Sequence, residues 1–268
     1  MKLGFIGAGN MGGAILRGYL KSKKIAASDV YVCGRDVEKL SKLCGELGTN
    51  MCEGIGQLVE ACDVIMLGVK PNMFPEILPQ VAEKYEANKI LVSMAAGIMI
   101  SVIEEAVGHD AKVIRVMPNT PAMVGEAMTS VSRNANVTDE EFAPIFDIFT
   151  SIGKAEEVSE ELIHCVIGVS GSSPAYTYMY IDALAEAAVK NGMDKEQALV
   201  FAAQSVLGAA KMVLETGVDP VQLRINVCSP GGTTIEAVET FQKEGLAELV
   251  EKGFQAAVDK SIKMSNNK

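Results

Sequence analysis

A short apolar run, Lys2-Leu3-Gly4-Phe5-Ile6, leads directly into Gly7-Ala8-Gly9-Asn10-Met11-Gly12, and a helical pattern continues through Ala14, Ile15, Leu16 and Tyr19. This is G-x-G-x-x-G with a strand before it and a helix after it, the context the pattern requires. Few folds accept that combination. Gly7 permits a tight turn, Gly9 lets a pyrophosphate approach the backbone, and Gly12 lets the helix pack closely on the sheet. The turn Gly7-Ala8-Gly9-Asn10-Met11-Gly12 is therefore expected to bind a dinucleotide. The plainer alternative is a glycine-rich βα turn without a ligand.

The next strand, Val30-Tyr31-Val32-Cys33, ends in Gly34-Arg35-Asp36. Where an acidic residue at this strand end would hold a ribose 2′-hydroxyl, a small residue stands, followed by Arg35. A guanidinium pairs well with phosphate, so the cofactor expected is NADPH, with NADH possible. Asp36 could serve a ribose or cap the helix starting near Val37.

Strands are predicted at Lys2–Ile6, Val30–Cys33, Val64–Val69, Ile90–Met94, Lys112–Val116 and Met128–Ser132, with helices at 10–22, 37–46, 73–85 and 101–106. This alternation predicts an α/β domain with a doubly wound, Rossmann-type parallel sheet. Such sheets bind ligands beyond the carboxyl ends of their strands. Those ends read Val69-Lys70-Pro71, Ala95-Ala96-Gly97 and Met117-Pro118-Asn119-Thr120-Pro121, in addition to the turns above. They are rich in small residues and proline, as close approach of a cofactor to the backbone demands. A helix at 139–151 and an edge strand at Ala155–Val158 complete a dinucleotide-binding domain over residues 1–159.

From Glu160 the alternation stops. Helices are predicted at 160–169, 174–191, 194–216, 219–226, 231–242 and 245–265, an all-helical domain over residues 160–268. Gly192 after Asn191 marks a helix end, and Asp194 the next N-cap. The segments 174–191 and 194–216 carry more apolar surface than a small domain can bury. They predict packing between subunits, an obligate dimer. Within this half, Asn226-Val227-Cys228-Ser229-Pro230-Gly231-Gly232-Thr233-Thr234 breaks the helical pattern. Pro230 fixes φ, Gly231 and Gly232 remove obstructing side chains, and the row of N–H groups at a helix start forms an anion site. The hydroxyls of Ser229, Thr233 and Thr234 add donors for a small polar ligand. A helix–helix turn with threonine caps is the plainer reading.

Of 268 residues, 49% are hydrophobic and 22% charged, and the formal net charge is −10. A strongly acidic chain suits neither nucleic acid nor an anionic membrane. With the first strand beginning at residue 2, no signal peptide is expected, and no apolar run is expected to span a bilayer. The six cysteines, at 33, 44, 52, 62, 165 and 228, show no zinc spacing. They read as reduced thiols of a cytoplasmic protein, and no metal site is expected. Cys228, inside the loop, is read as a small packing residue, with a reactive thiol the alternative.

Taken together, the motifs at 5–12, 69–71, 95–97, 115–121, 170–176 and 229–234 closely resemble those of the pyrroline-5-carboxylate reductases, from about residue 2 to residue 258. The resemblance implies hydride transfer from NAD(P)H to C5 of the cyclic imine Δ1-pyrroline-5-carboxylate, giving L-proline in the last step of its biosynthesis. It implies that the Pro-Gly-Gly loop holds the substrate carboxylate, that Thr234 lies near the ring nitrogen with Ser229 beside it, and that Asn226 is close by. It also implies self-association as a dimer or a ring of dimers. Two positions depart from the family pattern, Ser173 for glycine and Cys228 for threonine or serine. Three other readings compete. A β-hydroxyacid dehydrogenase needs a lysine early in the 174–191 helix, which has none before Lys190. A ketol-acid reductoisomerase needs magnesium carboxylates; Asp182 and Glu186 stand one turn apart on a helix, with no second carboxylate cluster to accompany them. A non-catalytic NADP sensor would leave the second ligand loop without purpose.

Overall fold

A computed structural model describes residues 1–266. The chain divides into two compact units, Met1–Ser172 together with the chain end from Ala257, and Ser173–Ala256.

The first unit is built on one eight-stranded sheet. Its strands are β1 (Leu3–Ile6), β2 (Val30–Cys33), β3 (Asn50–Met51), β4 (Val64–Leu67), β5 (Ile90–Ser93), β6 (Lys112–Met117), β7 (Ala127–Arg133) and β8 (Gly153–Glu157). Their spatial order is β3-β2-β1-β4-β5-β6-β7-β8. Helices α1 (Asn10–Lys21), α2 (Val37–Leu47), α3 (Ile55–Ala61), α4 (Phe74–Lys84), α5 (Ile100–Val107) and α6 (Asp139–Thr150) connect or flank the strands. The central strands are apolar on both faces because helices cover both. Leu3, Phe5, Val64, Met66 and Val92 feed one core, while Ile6, Ile65, Leu67 and Leu91 feed the other. Phe5 lies in register with Val32 and with Met66, so β1 is central.

Local signals set the helix ends. Asp36 accepts from the Lys39 N–H and starts α2. Thr138 and Glu141 form a reciprocal capping box on α6.

Three features depart from the sequence expectation. β7 runs antiparallel to β6. The connection between them holds only a short 3-10 turn, Thr120–Val124, too little chain for the crossover that parallel neighbours need. β3 and α3 carry no prediction: two residues show no alternation, and α3 is a seven-residue helix containing Gly56. The helix expected at 160–169 is three short pieces. These are a 3-10 turn at Glu160–Leu162, α7 (Ile163–Val166) and a π-turn at Ile167–Gly171.

The second unit holds α8 (Ser173–Lys190), α9 (Lys195–Thr216), α10 (Pro220–Val227), α11 (Thr233–Lys243) and the greater part of α12 (Leu246–Asn266). Asp194 caps α9 through the Glu196 and Gln197 N–H groups. α8 and α9 meet over small residues, Ala185, Ala198 and Ala202. Much apolar surface stays uncovered within the chain: Met179 is 74% exposed, Val200 66% and Phe201 59%. By length and composition α9 could cross a bilayer, contrary to the sequence expectation, and only 11% of its apolar stretch is buried.

Candidate functional site

In the first unit the order 3-2-1-4-5-6 places the reversal of chain progression between β1 and β4, the place where open α/β sheets bind nucleotides. The ends of β1, β2 and β4 meet there at hydrogen-bond distance. The Gly7 N–H donates to Cys33 O at 2.8 Å, and the Gly68 N–H donates to Ile6 O at 2.9 Å. Gly7 has φ +87°, a conformation that disfavours other residues. A Cβ on Gly68 would stand 2.3 Å from Gly7 O, and one on Gly12 2.8 Å from the same atom. Three glycines therefore form a compact wedge at which α1 starts. Gly9 differs: a Cβ there would meet nothing within 4 Å. It is the N-cap of α1, with no side chain capping that helix. The surface beside Gly9 is thus open, next to the N–H groups of a helix start, which suits a pyrophosphate.

A cleft of about 820 Å³ runs from this turn over the end of β2. Gly7, Ala8, Gly9, Gly34, Arg35, Gly68, Val69 and Lys70 line it, with Arg17, Lys39 and Lys42 along its rim. Asn10 lies in the adjoining groove on α1, and Met11 packs against the core. Two carboxylates on the rim are committed to cations. Glu46 takes both Arg17 Nη atoms, at 2.6 and 3.1 Å, and Arg17 holds its pKa below the usual range. Asp36 accepts the Lys39 N–H at 3.1 Å and pairs with the Lys39 ammonium. Those bonds, the backbone one foremost, lower its pKa. Asp36 also lines the cleft but is engaged as a helix cap, and Arg35 is the cation at the β2 end that lines it. Cys33 below it is inert, its thiol pushed up to about 12 by burial.

Farther along the sheet the strand ends are firmly braced. Pro71 opens a 3-10 turn before α4. Ala95 is buried and Ala96 and Gly97 are half-buried. Asn119 is 8% exposed, and both ends of its amide are engaged: Nδ2 donates to Ser170 O at 3.0 Å, and Oδ1 accepts the Met128 N–H at 2.9 Å. Its side chain ties the β6–β7 connection to the π-turn. Gly68 escaped the sequence reading. Its signal was a glycine directly after an apolar strand, but only the sheet order shows that this strand neighbours β1.

In the second unit, residues 226–234 join α10 to α11. Gly231 has φ +69°, and a Cβ on it would meet nothing within 4 Å. The Gly232 N–H closes the turn onto Ser229 O at 3.0 Å. Gly232, not a threonine, is the N-cap of α11, and no side chain caps this helix. Thr233 and Thr234 occupy its exposed first turn. Asn226 Oδ1 accepts from Gln222 Nε2 at 2.8 Å. Cys228 is half-buried and ends α10, with its N–H bonded to Ile225 O. The turn offers an anion open N–H groups and a row of hydroxyls. Among the described residues no group of three or more metal-ligating side chains occurs, and Glu186 pairs with Lys195 at 3.9 Å.

Fold and cleft together define a Rossmann-type nucleotide-binding protein carrying a second, helical unit. Comparison with known proteins narrows this. Residues 160–264 match the family described as pyrroline-5-carboxylate reductase dimerisation. Residues 2–97 match the NADP oxidoreductase, coenzyme F420-dependent, family. The pyrroline-5-carboxylate reductase of Escherichia coli K12 is 44% identical over 266 residues, covering 99% of both chains. The structure of the Coxiella burnetii reductase superposes with a TM-score of 0.92 at 33% identity, covering 99% of both chains. That of Plasmodium falciparum pyrroline carboxylate reductase, with NADP bound, gives 0.90 at 31% identity, covering 99% of this chain and 98% of that one. The chain belongs to the pyrroline-5-carboxylate reductase family.

Proposed function

We propose that this protein reduces Δ1-pyrroline-5-carboxylate to L-proline, the closing step of proline biosynthesis, with NADPH preferred and NADH accepted. The observation that carries the reading is kinship along the whole chain, cofactor fingerprint and Pro-Gly-Gly loop included. The bound nicotinamide supplies the hydride. The protein's own residues bind, orient and exclude water. Gly7, Ala8, Gly9, Asn10, Met11 and Gly12 form the pyrophosphate turn, and Gly9, with open space where a Cβ would stand, is its closest approach. Arg35 takes the 2′-phosphate. Val69-Lys70-Pro71 and Ala95-Ala96-Gly97 border the rest of the cofactor, and Asn119 braces that edge through its buried amide bonds.

The substrate carboxylate rests on the turn Ser229-Pro230-Gly231-Gly232 and the first N–H groups of α11, with Thr233 and Asn226 as further donors. A protonated imine is already electrophilic, so one hydrogen bond at the ring nitrogen suffices; Thr234 provides it, assisted by Ser229. The helical domain, from residue 160 onward, pairs with a second copy and thereby covers α8 and α9, as a dimer or a ring of dimers. Reduced cysteines, among them buried Cys33, Cys44, Cys52 and Cys62, support a cytoplasmic location. The test is NADPH absorbance on addition of pyrroline-5-carboxylate to purified protein, repeated with NADH. Imine-dependent oxidation faster with NADPH supports the reading. Cofactor binding without oxidation refutes it and favours a sensor.

A further inference from the structure

Arg115 on β6 is 0% exposed, and the reaction just described makes no use of it. Its Nη1 donates to Glu160 Oε1 at 2.8 Å and lies 3.0 Å from Met99 Sδ. The same Glu160 oxygen accepts the Ile100 N–H, also at 2.8 Å. Ile100 is the first residue of α5, and no side chain of the neighbouring N-cap residue, Met99, serves that helix start. The carboxylate therefore occupies the positive end of α5. The turn between β5 and α5 is gripped from one further side. Gly97, at φ +80°, faces the backbone of Met264, to which an added Cβ would approach within 3.4 Å. The α12 segment that carries Met264 is fastened by a 2.8 Å bond between His164 Nδ1 and Ser261 Oγ.

Stability alone explains this arrangement poorly. Arg115 Nε and Nη2 are buried without hydrogen-bond partners, and the pair joins a buried guanidinium to a half-buried carboxylate, where desolvation offsets much of the attraction. What the pair supplies is position: residues 99 and 100 are held by one guanidinium and one carboxylate. The sheet order gives that position a purpose. With Arg35 at the end of β2 and the pyrophosphate turn at the end of β1, the nicotinamide half of the cofactor extends past β4 towards β5. The geometry points to Glu160, held by Arg115, as a positioning residue that fixes the Ala95–Ile100 turn as the wall against which the nicotinamide is aligned. The inference rests on the reductase reading above, but half of its test does not.

The test compares Glu160→Ala with Glu160→Gln, whose amide oxygen still accepts from Ile100. Hydrogen exchange on ligand-free protein reads the clamp without turnover. The Ile100 amide is expected to exchange at least about tenfold faster in the alanine variant, as loss of a bond to a charged acceptor predicts, and near the wild-type rate in the glutamine variant. In turnover, Glu160→Ala is expected to lower kcat by roughly 10- to 100-fold, as a displacement on the order of 1 Å does. The KM for NADPH should stay within about threefold, and the isotope effect from deuterated NADPH should rise. Glu160→Gln should recover most of kcat. If the alanine variant does not fold, Glu160→Asp withdraws the carboxylate by one methylene and should give the same pattern in smaller measure. Fast Ile100 exchange with unchanged kcat and isotope effect would overturn the inference, as would alanine and glutamine variants that behave alike. Wild-type protein that turns over no imine would end the reductase reading while leaving the exchange result to judge the clamp.

Discussion

Gly9→Ala separates binding from packing at the nucleotide turn. Gly9 sits at φ −68° and ψ −160° as the N-cap of α1, a conformation open to alanine, and the new Cβ meets no protein atom within 4 Å. The change in the ligand-free protein is then confined to the cap, where alanine is poorer than glycine by about 0.5–1 kcal/mol. For a chain of this size that lowers Tm by about 1–4 °C. On the proposed function, the methyl fills the space through which a pyrophosphate would reach the N–H groups of α1. Overpacking costs about 1–3 kcal/mol, which weakens NADP+ binding by about 5- to 150-fold. Calorimetric titration with NADP+ and thermal melts of ligand-free protein measure the two effects. Gly12→Ala is the contrasting variant. Its Cβ stands 2.8 Å from Gly7 O, so stability and affinity should fall together. Wild-type affinity in Gly9→Ala would refute the assignment of this turn to the pyrophosphate, and a large drop in Tm would show that Gly9 serves packing.

Arg35→Ala should raise the KM for NADPH by roughly 10- to 100-fold, the range for loss of a charged hydrogen bond, and leave that for NADH nearly unchanged; equal effects on both would remove the 2′-phosphate from its role. Thr234→Ala should lower kcat/KM for the imine by about one to three decades, and unaltered steady-state kinetics would exclude this hydroxyl from the reaction. Burial first, and then Arg115 nearby, lower the His164 pKa below 6.5. The folded protein therefore resists protonation that the unfolded chain accepts, and stability is lost as pH falls below about 6.5 towards the folded-state value. Melts between pH 7 and pH 5 should show a steeper fall in wild type than in His164→Gln, and parallel curves would contradict this.

The sequence carried the architecture where periodicity and turn chemistry agreed. The apolar runs of β1, β2, β4 and β6 and the turn at Gly7 could be placed without coordinates, because a glycine or proline directly follows each run; β5 was placed by its apolar run alone. The 226–234 loop was visible for a similar reason: Pro230-Gly231-Gly232 cannot continue a helix. What escaped depends on contacts distant in the chain. Gly68 acquires meaning only when β4 pairs with β1. Glu160 looks like one of many surface acids until the fold brings it to Arg115, 45 residues away in sequence. The direction of β7 follows from how little chain the 118–126 connection contains, a matter of length and not of residue type. The lower exposure of Asn119 likewise could not be read from a motif that suggests a ligand contact.

The uncovered apolar flank of α8 and α9 has a consequence for how the protein behaves at different concentrations. Met179, Val200 and Phe201 are left to water by a lone chain, so a second copy that covers them acts as a ligand for the folded form alone. Folding of the helical unit is then coupled to mass action. Its midpoint of unfolding should climb with protein concentration, and dilution should loosen it at constant temperature and pH. Activity per molecule should fall on the same dilution series, so that the amount of this protein present, and not only its intrinsic rate, sets the flux it can sustain.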